Sequence, residues 1–181
     1  MKKILDDIKN CKRCNLCKTR ILPTIYCGDP SSKIMFIGEA PGKNEDETGI
    51  PFCGRAGKIL NELLDSIKLE RRDVYITNIV KCRPPKNRNP KENEIKKCKH
   101  FLDEQIKIVN PKIICPLGRF SSQYILKKYM NKKFEIGEVH GKVFKVCDNI
   151  IIPMYHPAAA IYDNKKIDIL KKDFKNIISN L

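Results

Sequence analysis

Four short segments of the chain carry side chains suited to chemistry. Gly38-Glu39-Ala40-Pro41-Gly42 follows directly on the apolar run KIMFI. Two glycines and a proline predict a tight turn whose backbone N–H groups point into a cleft and could stabilise an anion; the same residues would also make a plain strand-to-loop turn. TGIPFCGRAG (48–57) places Phe52 in a Gly- and Pro-rich loop, either as an aromatic able to stack on a flat ring or as a core side chain. VYITNIVKCRPPKNRNP (74–90) puts Asn78 inside or at the end of a strand, where its amide both donates and accepts. That suits the edge of a pyrimidine, and it suits a turn equally well. MYHPAAAIY (154–162) sets His156 beyond an apolar run, as a donor to developing negative charge or as a capped or exposed histidine.

Nine cysteines are a second source of chemistry. In a reducing compartment such thiols are buried small hydrophobes or metal ligands rather than disulfides. Cys11 and Cys14 form a C-x2-C pair, and fifteen residues separate Cys82 from Cys98. Four thiolates suit zinc and an iron–sulfur cluster alike. Cys98 also falls on the apolar stripe of a predicted helix, so it could be ordinary core. Cys17 extends the first pair to C-x2-C-x2-C, but Ile21 stands where a ferredoxin-type run would continue with cysteine. Cys27, Cys53, Cys115 and Cys147 lie in or beside apolar runs or small-residue loops and read as packing residues.

Four apolar runs are the elements that would position these groups: residues 33–38, 73–80, 112–118 and 150–155. The first and third are continuous rather than alternating, as in parallel strands covered on both faces. Asp148-Asn149 lies between two apolar runs, so residues 142–155 could instead form a hairpin feeding the last strand. Helical spacing follows each run. Ile59, Leu60, Leu63, Leu64 and Ile67 recur after Gly57. Asn89-Pro90-Lys91-Glu92 predicts a helix start with Asn89 as N-cap, and the stripe continues through Ile95, Cys98, Leu102, Ile106 and Val109. Weaker helices are expected over 119–129 and 164–180. Strands alternating with helices predict an α/β fold, a three-layer α/β/α sandwich with a central four-stranded mostly parallel sheet, over a single domain spanning 1–181.

Bulk properties narrow the partners. Lys and Arg number 36 against 21 acidic residues, a formal charge of +15, which favours a polyanion over a neutral ligand. No apolar run approaches membrane-spanning length and the N-terminal residues lack a signal-peptide core, so the expected location is cytoplasmic, with no membrane partner.

Taken together, GEAPG with Glu45-Asp46, TGIPFCGRAG, TNIVKCRPPKNRNP and HPAA resemble the family-four, iron–sulfur uracil-DNA glycosylases, in that family's order and spacing from about Cys11 to Tyr162. The resemblance implies a doubly wound α/β/α fold with a four-stranded parallel sheet. It also implies hydrolysis of the uracil–deoxyribose bond after the nucleotide is flipped from the stack. It places Glu39 and Ala40 on the loop over the uracil, stacks Phe52 on its face, gives Asn78 its Watson–Crick edge and brings His156 to its O2. Related glycosylases carry an Asp where this chain has Ala40, so the attacking water needs another holder, with Glu39, Glu45 and Asn87 as candidates; leaving-group stabilisation could instead carry most of the catalysis. Those relatives carry a bulky aromatic at the position of Gly42, and Glu45 is expected to narrow the pocket in its place. Cys11, Cys14, Cys82 and Cys98 would bind a [4Fe–4S] cluster, pinning the N-terminal segment to the loop 83–89. Basic residues within Lys81–Arg88 are expected to meet phosphate, and the partner would be uracil-containing DNA, single- or double-stranded, bound by a monomer.

Two other readings compete. One is a non-catalytic iron–sulfur or zinc nucleic-acid-binding module, which charge and cysteines alone would satisfy. The other is a superfamily glycosylase acting on another deaminated base. A variant that traps the abasic sugar is disfavoured, because Gly54-Arg55-Ala56-Gly57 runs straight into the predicted helix without a basic insertion.

Overall fold

The computed structural model describes residues 2–181. In chain order its elements are α1 (Lys2–Lys9), β1 (Cys27–Gly28), β2 (Ile34–Gly38), α2 (Lys43–Thr48), α3 (Arg55–Asp65), β3 (Tyr75–Asn78) and α4 (Glu92–Val109). They continue as β4 (Ile113–Pro116), α5 (Arg119–Met130), α6 (Ile136–Val139), β5 (Phe144–Val146), β6 (Asn149–Ile151), α7 (Ala159–Tyr162) and α8 (Lys165–Ile178).

The strands form one six-stranded sheet in the order β1-β3-β2-β4-β6-β5. The four inner strands pair in parallel, and they coincide with the four expected from apolar runs. Two antiparallel edge strands raise the count from four to six. β1 contributes two residues, too few for any periodicity to show. β5 and β6 are the hairpin alternative realised, with the turn at Cys147-Asp148 rather than at Asp148-Asn149. Cys147 is exposed there with φ +51°, so it does not pack as expected.

Side chains of β2 alternate between two cores. Met35 and Ile37 join α1, α4 and α5 through Ile8, Leu102 and Ile125. Ile34 and Phe36 join α3 and α8 through Leu64 and Phe174. Both faces are therefore covered, which is why the run KIMFI is apolar throughout. Phe36 and Phe174 stack with centroids 5.5 Å apart.

The long helix begins later than its sequence signal. Lys91, not Asn89, occupies the N-cap position, and the Glu94 carboxylate accepts the Lys91 backbone N–H at 2.7 Å. Arg88 grips that carboxylate with both terminal nitrogens, at 2.9 and 2.7 Å. This ion pair holds 88–91 extended and moves the helix start towards its acidic first turn.

Candidate active site

The parallel strands deliver their carboxyl ends to one edge of the sheet, where ligands bind in open α/β folds. Gly38 closes β2 and Asn78 closes β3, directly opposite each other in register. Beyond β4 and β6, Leu117 bridges Met154 and Gly118 N–H donates to the Met154 carbonyl at 2.7 Å, which sets His156 beside the same edge. Glu39, Ala40, Glu45, Phe52, Asn78, Asn87 and His156 all line one cleft of about 670 Å3. The separately motivated residues of the sequence analysis are thus neighbours.

Glycines make the crowding possible. A Cβ on Gly38 would stand 2.3 Å from Asn78 Oδ1 and 2.7 Å from the Phe52 ring. Gly118 has φ +87°, and its Cβ would meet that of His156 at 3.0 Å. Phe52 has φ +54° and is buried, its ring 5.6 Å from that of His156 with 27° between the planes. Phe52 therefore belongs to the core and to the cleft at once. Asn78 is buried as well, which removes its amide from competition with bulk water.

The histidine tautomer follows from geometry. Ala158 N–H donates to His156 Nδ1 at 3.1 Å, so the ring proton sits on Nε2. Burial lowers its pKa to about 4 against an opposing pull from Glu45, which keeps the ring neutral near pH 7. A neutral Nε2–H is a hydrogen-bond donor.

The two carboxylates differ. Burial raises the Glu39 pKa to about 7, and Arg119 partly opposes the rise. Glu45 instead ties two loops together: its Oε2 accepts Gly42 N–H at 3.0 Å and its Oε1 accepts Gly54 N–H at 2.9 Å. Each oxygen keeps a further lone pair for a water. A Cβ on Gly42 would lie 2.7 Å from Glu45 Oε2, so this carboxylate fills the space beside Gly42. Asn87 is exposed, with φ +54°, and its Oδ1 accepts Arg83 Nε at 2.7 Å.

Three charged residues behind the cleft and the cysteine cavity do work that their local sequence does not signal. Arg71 donates to the carbonyls of Phe52 and Pro51 at 2.9 and 2.6 Å, yet Arg71-Arg72-Asp73 reads locally as a solvated charge run. Asp46 is buried and its Oδ1 accepts Ile21 N–H at 3.1 Å, anchoring the chain beyond the first cysteines. Lys81, expected to meet phosphate, is 1% exposed and cannot do so.

Cys11, Cys14, Cys17, Cys82 and Cys98 line a second, more enclosed cavity walled by Ile8, Val80 and Phe101. Among the described residues no three His, Cys, Asp or Glu side chains converge closely enough for a single metal ion. N–H donors already face two sulfurs: Arg20 Nη1 reaches Cys82 at 3.1 Å and Lys81 N reaches Cys98 at 3.3 Å. Such donors favour the thiolate that metal ligation requires. Burial pushes Cys98 up to about 11, with Lys81 opposing, so binding a cation there would release protons.

A chain with this sheet, and with a stacking aromatic, an amide and a neutral histidine at its carboxyl edge, has the build of a base-recognising α/β enzyme. The uracil DNA glycosylase superfamily matches residues 25–181. The type-4 uracil-DNA glycosylase of Sulfurisphaera tokodaii is 47% identical over 182 residues, spanning 98% of this chain and 83% of that protein. The type-4 enzyme of Archaeoglobus fulgidus is 42% identical, spanning 96% and 89% respectively. That of Thermotoga maritima is 40% identical, spanning 87% and 81%. The chain belongs to the uracil DNA glycosylase superfamily and, within it, to the type-4 uracil-DNA glycosylases.

Proposed function

We propose that this chain excises uracil from DNA by hydrolysing the bond between base and deoxyribose, leaving free uracil and an abasic site for base excision repair. The observation that carries the reading is the convergence of Phe52, Asn78 and His156 in one cleft of a chain with type-4 relatives. A binding module would need no such polar pocket.

The flipped base stacks on Phe52 and presents its Watson–Crick edge to Asn78. As the C1′–N1 bond breaks, its electron pair moves onto the base and spreads to O2. The His156 Nε2–H donates to that oxygen, and a fixed donor in a water-poor site acts most strongly on charge that develops in the transition state. The sugar is left as an oxocarbenium ion that the DNA phosphates stabilise. Water adds at C1′, and the proton it loses passes through solvent to the departing uracil anion, leaving neutral uracil and the abasic sugar. Glu39, Glu45 and Asn87 are the polar side chains of the cleft that can hold this water, Glu45 being the one fixed from both ends by backbone N–H groups.

The reading assigns Cys11, Cys14, Cys82 and Cys98 to a [4Fe–4S] cluster, which when bound supplies a covalent tie between the N-terminal segment, the loop after β3 and α4. Hydrolysis transfers no electrons, so the role is structural. The proposed substrate is uracil in single- or double-stranded DNA, the proposed acting form a monomer and the proposed location the cytoplasm. No described helix is long and apolar enough to cross a membrane.

The test is incubation of purified protein with a labelled uracil-containing oligonucleotide, then alkali, beside a thymine control. Strand scission at uracil alone is expected, and its absence with a cluster-loaded preparation would sink the proposal. Scission at hypoxanthine rather than uracil would point to the other-base alternative.

A further inference from the structure

Lys81 lines the cysteine cavity while its Nζ reaches the strand end at the cleft. It is 1% exposed, an unusual place for a lysine. Its Nζ donates to the Asn78 carbonyl at 2.6 Å, to Thr77 Oγ1 at 2.8 Å and to Gln105 Oε1 at 2.5 Å. Thr77 Oγ1 spends its own proton on the Ile25 carbonyl at 2.6 Å, and the Gln105 amide nitrogen is turned to Tyr75 and Ile25. All three partners therefore act as acceptors, and Nζ ties them to a single point.

The main chain of the same residue faces the cysteines. Its N–H donates to Cys98 Sγ at 3.3 Å, and Cys82 is the next residue. Its carbonyl accepts Thr24 N–H at 2.8 Å. No carboxylate lies within ion-pair distance of Nζ among the described residues. One residue thus holds the end of the strand that carries Asn78 with its side chain and faces the cysteine cavity with its main chain.

We propose that Lys81 is a positioning residue for base recognition, fixing the end of β3 that carries Asn78 and coupling it to the cysteine cavity. The inference rests on the reading of the cleft as a uracil site and of the cysteines as ligands of an anionic cluster. Nζ clamps the Asn78 carbonyl and its neighbour Thr77 to Gln105 of α4, so the Asn78 side chain leaves the strand at a set angle. The main-chain N–H of the same residue bonds Cys98 Sγ, which links that strand end to the cysteine cavity. Nothing in this arrangement touches DNA phosphate.

The test uses Lys81→Met, which keeps the aliphatic stem, purified anaerobically beside the wild type and Thr77→Val, which removes one acceptor isosterically and lies off the cysteine loop. Four quantities are measured: iron per chain, kcat, KM for uracil-containing DNA, and inhibition by free uracil. Lys81→Met is expected to keep its iron and its KM, while kcat and free-uracil affinity each fall roughly tenfold or more, the equivalent of one charge-assisted hydrogen bond. Thr77→Val should show the same split to a smaller degree, and it decides the matter if Lys81→Met does not fold. Wild-type kcat and uracil inhibition in the variants would overturn the proposal, as would a kcat loss matched in full by lost iron. A wild-type protein that releases no uracil would instead count against the functional reading itself.

Discussion

The guanidinium of Arg71 donates to the main-chain carbonyl of Phe52 at 2.9 Å, and so holds the aromatic residue of the cleft from behind. Phe52 has φ +54°, a conformation that costs a non-glycine residue about 1–3 kcal/mol and persists only where its surroundings enforce it. Arg71 enforces it, with help from Gly57, whose Cβ would lie 1.7 Å from the Phe52 oxygen. Arg71→Met should therefore release the loop. The expected result is a fall in kcat/KM and in free-uracil affinity of roughly 5- to 100-fold, the range of one base–aromatic stack, with binding of uracil-free DNA unchanged. Equal losses for both DNAs in a filter-binding assay would show that Arg71 acts on the fold at large.

Asn78→Ala and His156→Ala are expected to lower turnover while sparing DNA affinity, because both would meet the base whereas phosphate contacts dominate binding. Loss of one oxyanion-type donor costs roughly 10²–10³ in rate. Since His156 stays neutral down to about pH 4, the wild-type rate should show no step near pH 6.5 assignable to it. A kcat profile with a histidine step near pH 6.5 that vanishes in His156→Ala would contradict the neutral-donor role.

Glu39 makes the pH dependence of stability testable. Its folded pKa is raised to about 7 from an ordinary 4.5, chiefly by burial. Between those values the folded state binds the extra proton, so rising pH removes stability across that window. Glu39→Gln should match the wild-type Tm near pH 4 and exceed it above pH 7, while excision slows. A Tm gap that is constant from pH 4 to 8 would mean the carboxyl is not desolvated in solution.

The basic surface should give a steep salt dependence of DNA binding. Lys43 and Arg55 line the cleft and are exposed, whereas Lys81 is buried and Arg88 is committed to Glu94. Arg55→Ala is expected to reduce the slope of log affinity against log salt by about one, and Arg88→Ala to change helix stability more than slope. Fluorescence anisotropy at several salt concentrations measures this, and an unchanged slope for Arg55→Ala would remove it from the DNA face.

What was legible in the chain is what local patterns encode. The four inner strands stand out as apolar runs because both their faces are covered, and Asn78 and His156 could be placed at strand ends by counting along those runs. β1 was hidden because two residues carry no alternation. The start of α4 was misplaced because Asn89-Pro90 is a strong local signal that the Arg88–Glu94 pair overrides. Arg71, Asp46 and Lys81 were invisible for one shared reason. A charged residue is assigned to the surface unless its partner is known, and these partners lie at Phe52, Ile21 and Gln105, a distance along the chain that no periodicity reports.

Cys17 is the sharpest test of the cluster assignment. It lines the same cavity as Cys11, Cys14, Cys82 and Cys98, so five sulfurs are available for the four iron corners of the proposed cluster. One observation favours Cys82 and Cys98 among the assigned four: each receives an N–H donor, from Arg20 and from Lys81, of the kind that supports a thiolate ligand. Cys17→Ser is accordingly expected to give a brown, active protein with wild-type iron, whereas Cys82→Ser and Cys98→Ser lose iron and thermal stability. Iron content, visible absorption and Tm of each variant after anaerobic purification decide it. A colourless Cys17→Ser beside a brown Cys98→Ser would exchange the two, returning Cys98 to the apolar stripe it shares with Leu102 and Ile106 on α4 and placing three of the ligands in the N-terminal segment.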